Sequence, residues 1–96
     1  MVELNTLKLK RSEILALAQK YGARNVRVFG SVARGEANSE SDIDFLVDFE
    51  PNRSLLDHVG LMQDLAELFG KHADVVTEKS LHWYLRERIL KEAIPL

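Results

Sequence analysis

The chain has 96 residues, 46% of them hydrophobic, no cysteine, and 13 basic against 15 acidic side chains for a formal net charge of −2. Without cysteine there is no disulfide, thiolate zinc site or thiol redox chemistry, which suits a reducing, cytoplasmic setting. Balanced charge argues against direct gripping of a nucleic-acid backbone, and a domain of this size still buries about two thirds of its unfolded surface, so one domain over residues 1–96 is expected.

The opening MVELNTLKLK lacks the apolar stretch of a secretory signal. No later apolar run approaches the roughly 20 residues that span a bilayer, so no membrane association is expected. A first helix is expected over Ser12–Tyr21, its start left open back to Asn5. Ser12 serves as N-cap, Ile14, Leu17, Ala18 and Tyr21 form an apolar face, and Gly22 is the stop. Asn25–Phe29 reads as a strand, and Gly30–Gly35 as a tight turn or one short helical turn. An exposed loop over Glu36–Ser41 leads into Asp42–Phe49, a strand with strict period two: Ile43, Phe45, Val47 and Phe49 on one face, Asp42, Asp44, Leu46 and Asp48 on the other. Pro51 and Asn52 break it. Ser54, with Asp57 three residues on, caps a helix running to Phe69, with Leu55, Val59, Met62, Leu65, Ala66 and Phe69 on its buried side and Gly70 as its end. A short third strand covers Ala73–Thr77. Ser80 opens a last helix through Ala93 with Leu81, Tyr84, Leu85 and Ile89 as its apolar stripe, and Pro95 forbids continuation.

The expected fold is α+β: a small, mostly antiparallel or mixed three-stranded sheet with helices packed on one face. The aspartate-bearing face would be left relatively open. Side chains two apart on a strand point the same way, with Cα atoms roughly 6.5 to 7 Å apart. Asp42 and Asp44 are therefore a same-face pair whose like charges call for a divalent cation. Hard oxygen ligands select Mg²⁺, or Mn²⁺, and a site of this kind commonly also holds substrate phosphates. Asp74, in HADVV, is the third candidate; the alternative is an ordinary hydrated strand-end aspartate. Phe45, Leu46 and Val47 exclude an EF-hand calcium loop. Gly30 lets a backbone approach a phosphate, the Ser31 hydroxyl can donate to a phosphate oxygen, and Arg34 can pair with a phosphate. His58, His72 and His82 show no metal-site spacing and read as surface or capping residues. Trp83 and Tyr84 are either a partner surface or a cap on the core.

Glycine-serine, ten residues, then Asp-x-Asp resembles the polymerase-β-type nucleotidyltransferase superfamily, and FGSVARGEANSESDIDFLVDF resembles its minimal nucleotidyltransferase subgroup over almost the whole chain. The resemblance implies a trimmed nucleotidyltransferase core. It implies two Mg²⁺ held by Asp42 and Asp44 and completed by Asp74, with Asp74 also as general base, and the triphosphate of ATP held by Gly30 and Ser31. It further implies a toxin–antitoxin partnership in which the chain is an antitoxin, moving AMP onto a tyrosine hydroxyl of a HEPN-type ribonuclease and silencing it (AMPylation). Two alternatives stand beside this: an antitoxin that only masks the toxin, and a transferase acting on a small molecule or an RNA end.

Overall fold

The computed structural model describes residues 2–96. The N-terminal stretch is two helices, α1 (Leu4–Leu9) and α2 (Arg11–Lys20), broken at Lys10, which ends one and starts the other. Leu7 of α1 and Ile14 and Ala18 of α2 are buried in the core. Strand β1 (Ala23–Phe29) contains a bulge: its register against the next strand shifts between Arg24 and Arg27, and Asn25 takes a left-handed φ of 53°. Asn tolerates that conformation better than most residues. The extra residue lets Ala23, Val26 and Val28 all reach the core although the step from 23 to 26 breaks the alternation.

A short helix α3 (Gly30–Arg34) leads through the expected loop into β2 (Ile43–Phe49). Ile43, Phe45 and Val47 are fully buried beneath the helices, as the period-two pattern requires. Helix α4 (Leu55–Phe69) has the bounds its caps dictate: the Ser54 side chain accepts from the Leu56 N–H, the Asp57 carboxylate accepts from the Ser54 N–H, and Gly70 closes it at φ 64°. It is the crossover that lets β3 (Ala73–Val76) run parallel to β2.

Its buried side differs from the sequence expectation. Leu61 and Leu65 are buried, with Met62, Ala66, Leu68 and Phe69 packed around them, whereas Leu55 is 75% exposed and Val59 also faces out. Tertiary contacts set the helix's rotation. The Tyr21 ring lies so close to Gly60 that any Cβ there would strike it, and the Tyr21 hydroxyl donates to Asp64 at 2.7 Å.

After a 3₁₀ turn at Glu78–Ser80, helix α5 (Trp83–Glu92) begins three residues later than expected, capped by the His82 ring, which accepts from the Tyr84 N–H. Its expected apolar stripe is not buried: Tyr84 and Leu85 are exposed and Leu81 and Ile89 only partly covered; Trp83 is exposed too, and the helix packs against α3 rather than on the main core. A fourth strand, β4 (Ile94–Pro95), pairs antiparallel with β1, and Leu96 N–H donates to the Val26 carbonyl. The sheet thus has four strands in the order β3-β2-β1-β4, where three were expected. Proline is tolerated in β4 because an edge strand need not donate on both sides.

Helices α2 and α4 cover the face that carries Ile43, Phe45 and Val47. The aspartate face is less open than the alternation suggests. Leu46 is fully buried on it, where the turn Glu78–Ser80 packs against β2. Among the described residues no helix is long and apolar enough to cross a membrane.

Candidate active site

The site is assembled by strand register. In the parallel ladder Asp44 stands opposite Asp74 and Ile43 opposite Ala73, so the preceding residues, Asp42 and His72, flank the same end of the sheet. The Ile43 N–H donates to the His72 carbonyl at 3.1 Å. The three carboxylates singled out in the sequence, Asp42, Asp44 and Asp74, therefore come together on one face. His72 joins them: its Nδ1 lies 3.4 Å from Oδ2 of Asp42 and 3.8 Å from Oδ1 of Asp74. One ligand atom from each of Asp42, His72 and Asp74 lies within 4.8 Å of the others.

The approach to this cluster is held in place. In the loop before β2, Asn38 Oδ1 accepts from the Glu40 N–H and Ser41 Oγ accepts from the Asn38 N–H. Lys71, next to His72, donates from Nζ to the carbonyls of Asn38 and Ser39. Loop and strand end are thus tied together just outside the carboxylates.

Asp44 is the strained member. Burial, then the charges of Asp74 and Asp42, push its carboxyl up from 3.8 to about 6; Arg34 opposes this and Glu92 adds to it. Asp48, on the same face of β2, is different. It pairs with Arg27 at 3.4 Å and accepts from Asn25 Nδ2 at 3.0 Å, so it is neutralised apart from the cluster. Crowded carboxylates with no lysine or arginine bonded among them, and an imidazole nitrogen beside two of them, are a donor set a divalent cation fits. Carboxylate oxygens suit Mg²⁺ and Mn²⁺, and the His72 nitrogen leans toward the transition metal.

The Gly30–Ser31 turn adjoins the cluster. Gly30 has φ 75°, and a Cβ built on it would overlap Oδ2 of Asp44. The close approach that glycine permits here is thus, first of all, that of the Asp44 carboxylate. The Gly30 N–H donates to Oε2 of Glu92 at 2.8 Å. Ser31 follows in the first turn of α3, half-buried. Arg34 donates from Nε to Glu36 at 2.7 Å and from Nη1 to Oε1 of Glu92 at 2.9 Å. These bonds, to Glu92 and then Glu36, raise the Arg34 pKa further. Burial acts to raise that of Glu92, but Arg34, the Gly30 N–H and Arg88 outweigh it and hold the carboxyl below its ordinary value.

Two further residues stand at the site: His72, where the sequence spacing suggests only a surface or capping residue, and Glu92, which the sequence does not single out. His72 stands two before Asp74, the same spacing as Asp42 and Asp44, so strand parity alone places it on the acidic face. Glu92 lies 62 residues from Gly30 and carries no local signal; only the packing of α5 on α3 brings it there. His58 and His82 lie elsewhere, bonded to the Val75 carbonyl and the Tyr84 N–H respectively.

Residues 11–96 match the nucleotidyltransferase domain family. The chain is 41% identical over 78 residues to protein adenylyltransferase MntA of Thermococcus cleftensis, covering 81% of this chain and 79% of that protein. A solved structure provisionally described as a minimal nucleotidyltransferase superposes with a TM-score of 0.87 at 52% identity, covering 99% of this chain and 97% of the other. The fold is also that of a chain in the complex of tri-AMPylated Shewanella oneidensis HEPN toxin with MNT antitoxin, at a TM-score of 0.68 and 20% identity, covering 92% of this chain and 69% of that one. With glycine-serine turn, Asp-x-Asp strand and third aspartate carried on this fold, the chain belongs to the nucleotidyltransferase domain family, among its minimal members.

Proposed function

We propose that the chain is an antitoxin that transfers AMP from ATP to a tyrosine hydroxyl of a HEPN ribonuclease toxin and thereby neutralises it. The observation that carries this reading is the convergence of Asp42, Asp44 and Asp74 beside the Gly30–Ser31 turn, with the Asp44 carboxyl pushed up to about 6 by its neighbours. The family membership supplies the reaction class, and the naming of a similar chain as a protein adenylyltransferase supports a protein acceptor. The HEPN partner is taken from the complex of like fold.

The acceptor oxygen attacks the α-phosphorus of ATP in line with the bridge to the β-phosphate. A new phosphorus–oxygen bond forms to the acceptor, the bridging bond breaks, and pyrophosphate leaves with that electron pair. Asp74 takes the hydroxyl proton. Asp42, Asp44 and Asp74 are the residues that would hold divalent cation, Mg²⁺ or Mn²⁺, with His72 at its edge. Bound there, the metal supplies neutralisation of charge on the attacking and leaving oxygens. The Ser31 hydroxyl binds a phosphate oxygen. Arg34 gives the triphosphate a fixed positive charge through Nη2, since Nε and Nη1 are committed to Glu36 and Glu92. Gly30 keeps the turn close enough to Asp44 for phosphate and carboxylate to share one space.

The test is the intact mass of the HEPN partner after incubation with this protein, ATP and Mg²⁺. The reading predicts a gain of one or more AMP units, dependent on nucleotide, together with loss of ribonuclease activity. Neutralisation that proceeds equally without nucleotide and leaves the mass unchanged would replace transfer by masking.

A further inference from the structure

The carboxylate of Glu92 makes two bonds that together span the proposed phosphate cradle. Oε2 accepts from the Gly30 N–H at 2.8 Å, and Oε1 accepts from Nη1 of Arg34 at 2.9 Å. The Glu92 side chain is only 14% exposed; its bond to the Gly30 N–H is part-buried, and its bond to Arg34, itself 39% exposed, lies at the surface. Hydrogen bonds to an ionised acceptor are about twice as strong as neutral ones.

The backbone that carries Glu92 is itself anchored. Ile94 pairs with Val28 of β1, and the Leu96 N–H donates to the Val26 carbonyl. The strand that leads into Gly30 is thus the same strand that anchors the segment after Glu92. The carboxylate is a brace tied to the sheet at one end and to the turn at the other, rather than an anion free to leave when a nucleotide arrives.

The fixed carboxylate has two effects on the cradle. It orients the Gly30 peptide, whose φ of 75° sets the direction in which Ser31 follows. It also locks the Arg34 guanidinium plane between Glu92 and Glu36, so that Nη2 is presented in one orientation instead of sampling many. We infer that Glu92 is a positioning residue for nucleotide binding, acting through Gly30 and Arg34 and not by touching the triphosphate. The inference rests on the nucleotide-site reading given above.

The test is a double-mutant cycle on the affinity for AMP-PNP with Mg²⁺, measured by calorimetry on the full chain. Glu92→Gln keeps the size of the side chain but can accept from only one of the two donors. It is expected to bind AMP-PNP roughly tenfold or more weakly than the unaltered protein, while far-UV circular dichroism stays native. In an Arg34→Met background the same change is expected to cost roughly half as much or less on a logarithmic scale, because one of the two groups Glu92 positions is already gone. Glu92→Asp, charged but too short to span both donors, is expected to resemble Glu92→Gln. Unchanged or tighter binding by Glu92→Gln would overturn the inference, tighter binding meaning that the carboxylate competes with phosphate. An equal loss in both backgrounds would overturn it too, since the effect would then be structural. If the unaltered protein and Ser31→Ala alike fail to bind AMP-PNP, the nucleotide site itself is wrong and the positioning role falls with it.

Discussion

Gly30 and Asp44 occupy one another's space: the carboxylate oxygen of Asp44 lies where a side chain on Gly30 would begin. The turn proposed to take phosphate and the strand proposed to hold metal are therefore fitted to each other. That fit accounts for a glycine at this point more directly than approach of a phosphate to bare backbone does.

Gly30→Ala should damage both fold and function. The left-handed φ of 75° costs a non-glycine residue about 1–2 kcal/mol, and the overlap with Asp44 adds to it. A lowered thermal midpoint and strongly reduced AMP transfer are expected. In the Asp44→Ala background the overlap is relieved but the φ strain remains, so the stability cost should shrink without vanishing. A Gly30→Ala protein as stable and active as the original would contradict this account.

The pH dependence follows from Asp44. With its carboxyl raised to about 6, it binds its proton more tightly folded than unfolded. Its contribution to stability is full below the unfolded value near 3.8, declines as pH rises through about 6, and is lost above that. The metal-free thermal midpoint should therefore fall from about pH 4.5 to about pH 7, and Asp44→Asn should flatten that slope. Millimolar Mg²⁺ should raise the midpoint at about pH 7.5 and have little effect near pH 5, where the site is partly protonated. Scanning fluorimetry across this range checks both; a Mg²⁺ effect larger at low pH would have the wrong sign.

His72 offers a test of the metal-facing chemistry alone. Electron paramagnetic resonance titration of Mn²⁺ should show several-fold weaker binding for His72→Gln and a larger loss for Asp74→Asn, since a carboxylate contributes charge as well as a ligand atom. Equal Mn²⁺ affinity in His72→Gln and the unaltered protein would remove the ring from the site.

The difference between the expected and observed faces of α4 is testable by stability. Leu65→Ala should cost about 2–5 kcal/mol, whereas Leu55→Ala, at a position 75% exposed, should stay within about 0.5 kcal/mol. Urea unfolding monitored by circular dichroism distinguishes them, and similar losses at both positions would contradict the packing described.

What the sequence made legible was whatever rests on local rules. Alternation along β2 placed Asp42 and Asp44 together, and Ser54 and Gly70 marked the ends of α4 because capping is a property of a few adjacent residues. What it hid was set by partners. The parallel register that puts Asp44 opposite Asp74, and so His72 beside Asp42, depends on how β3 docks after its crossover. The rotation of α4 depends on Tyr21 against Gly60. The two-residue β4 has no period to detect, and the break at Lys10 involves neither glycine nor proline. Glu92 reaches Gly30 through the packing of α5 on α3 and the pairing of β4 with β1, neither of which has a local signal.

The most direct measurement is transfer of α-phosphate-labelled AMP from ATP to the HEPN partner by the unaltered protein and by Asp42→Asn, Asp44→Asn and Asp74→Asn. Each substitution should lower the rate by about 100-fold or more while the metal-free thermal midpoint holds or rises, because a repelled carboxylate has been neutralised. Full transfer by any one of the three would show that its carboxylate is not part of the catalyst.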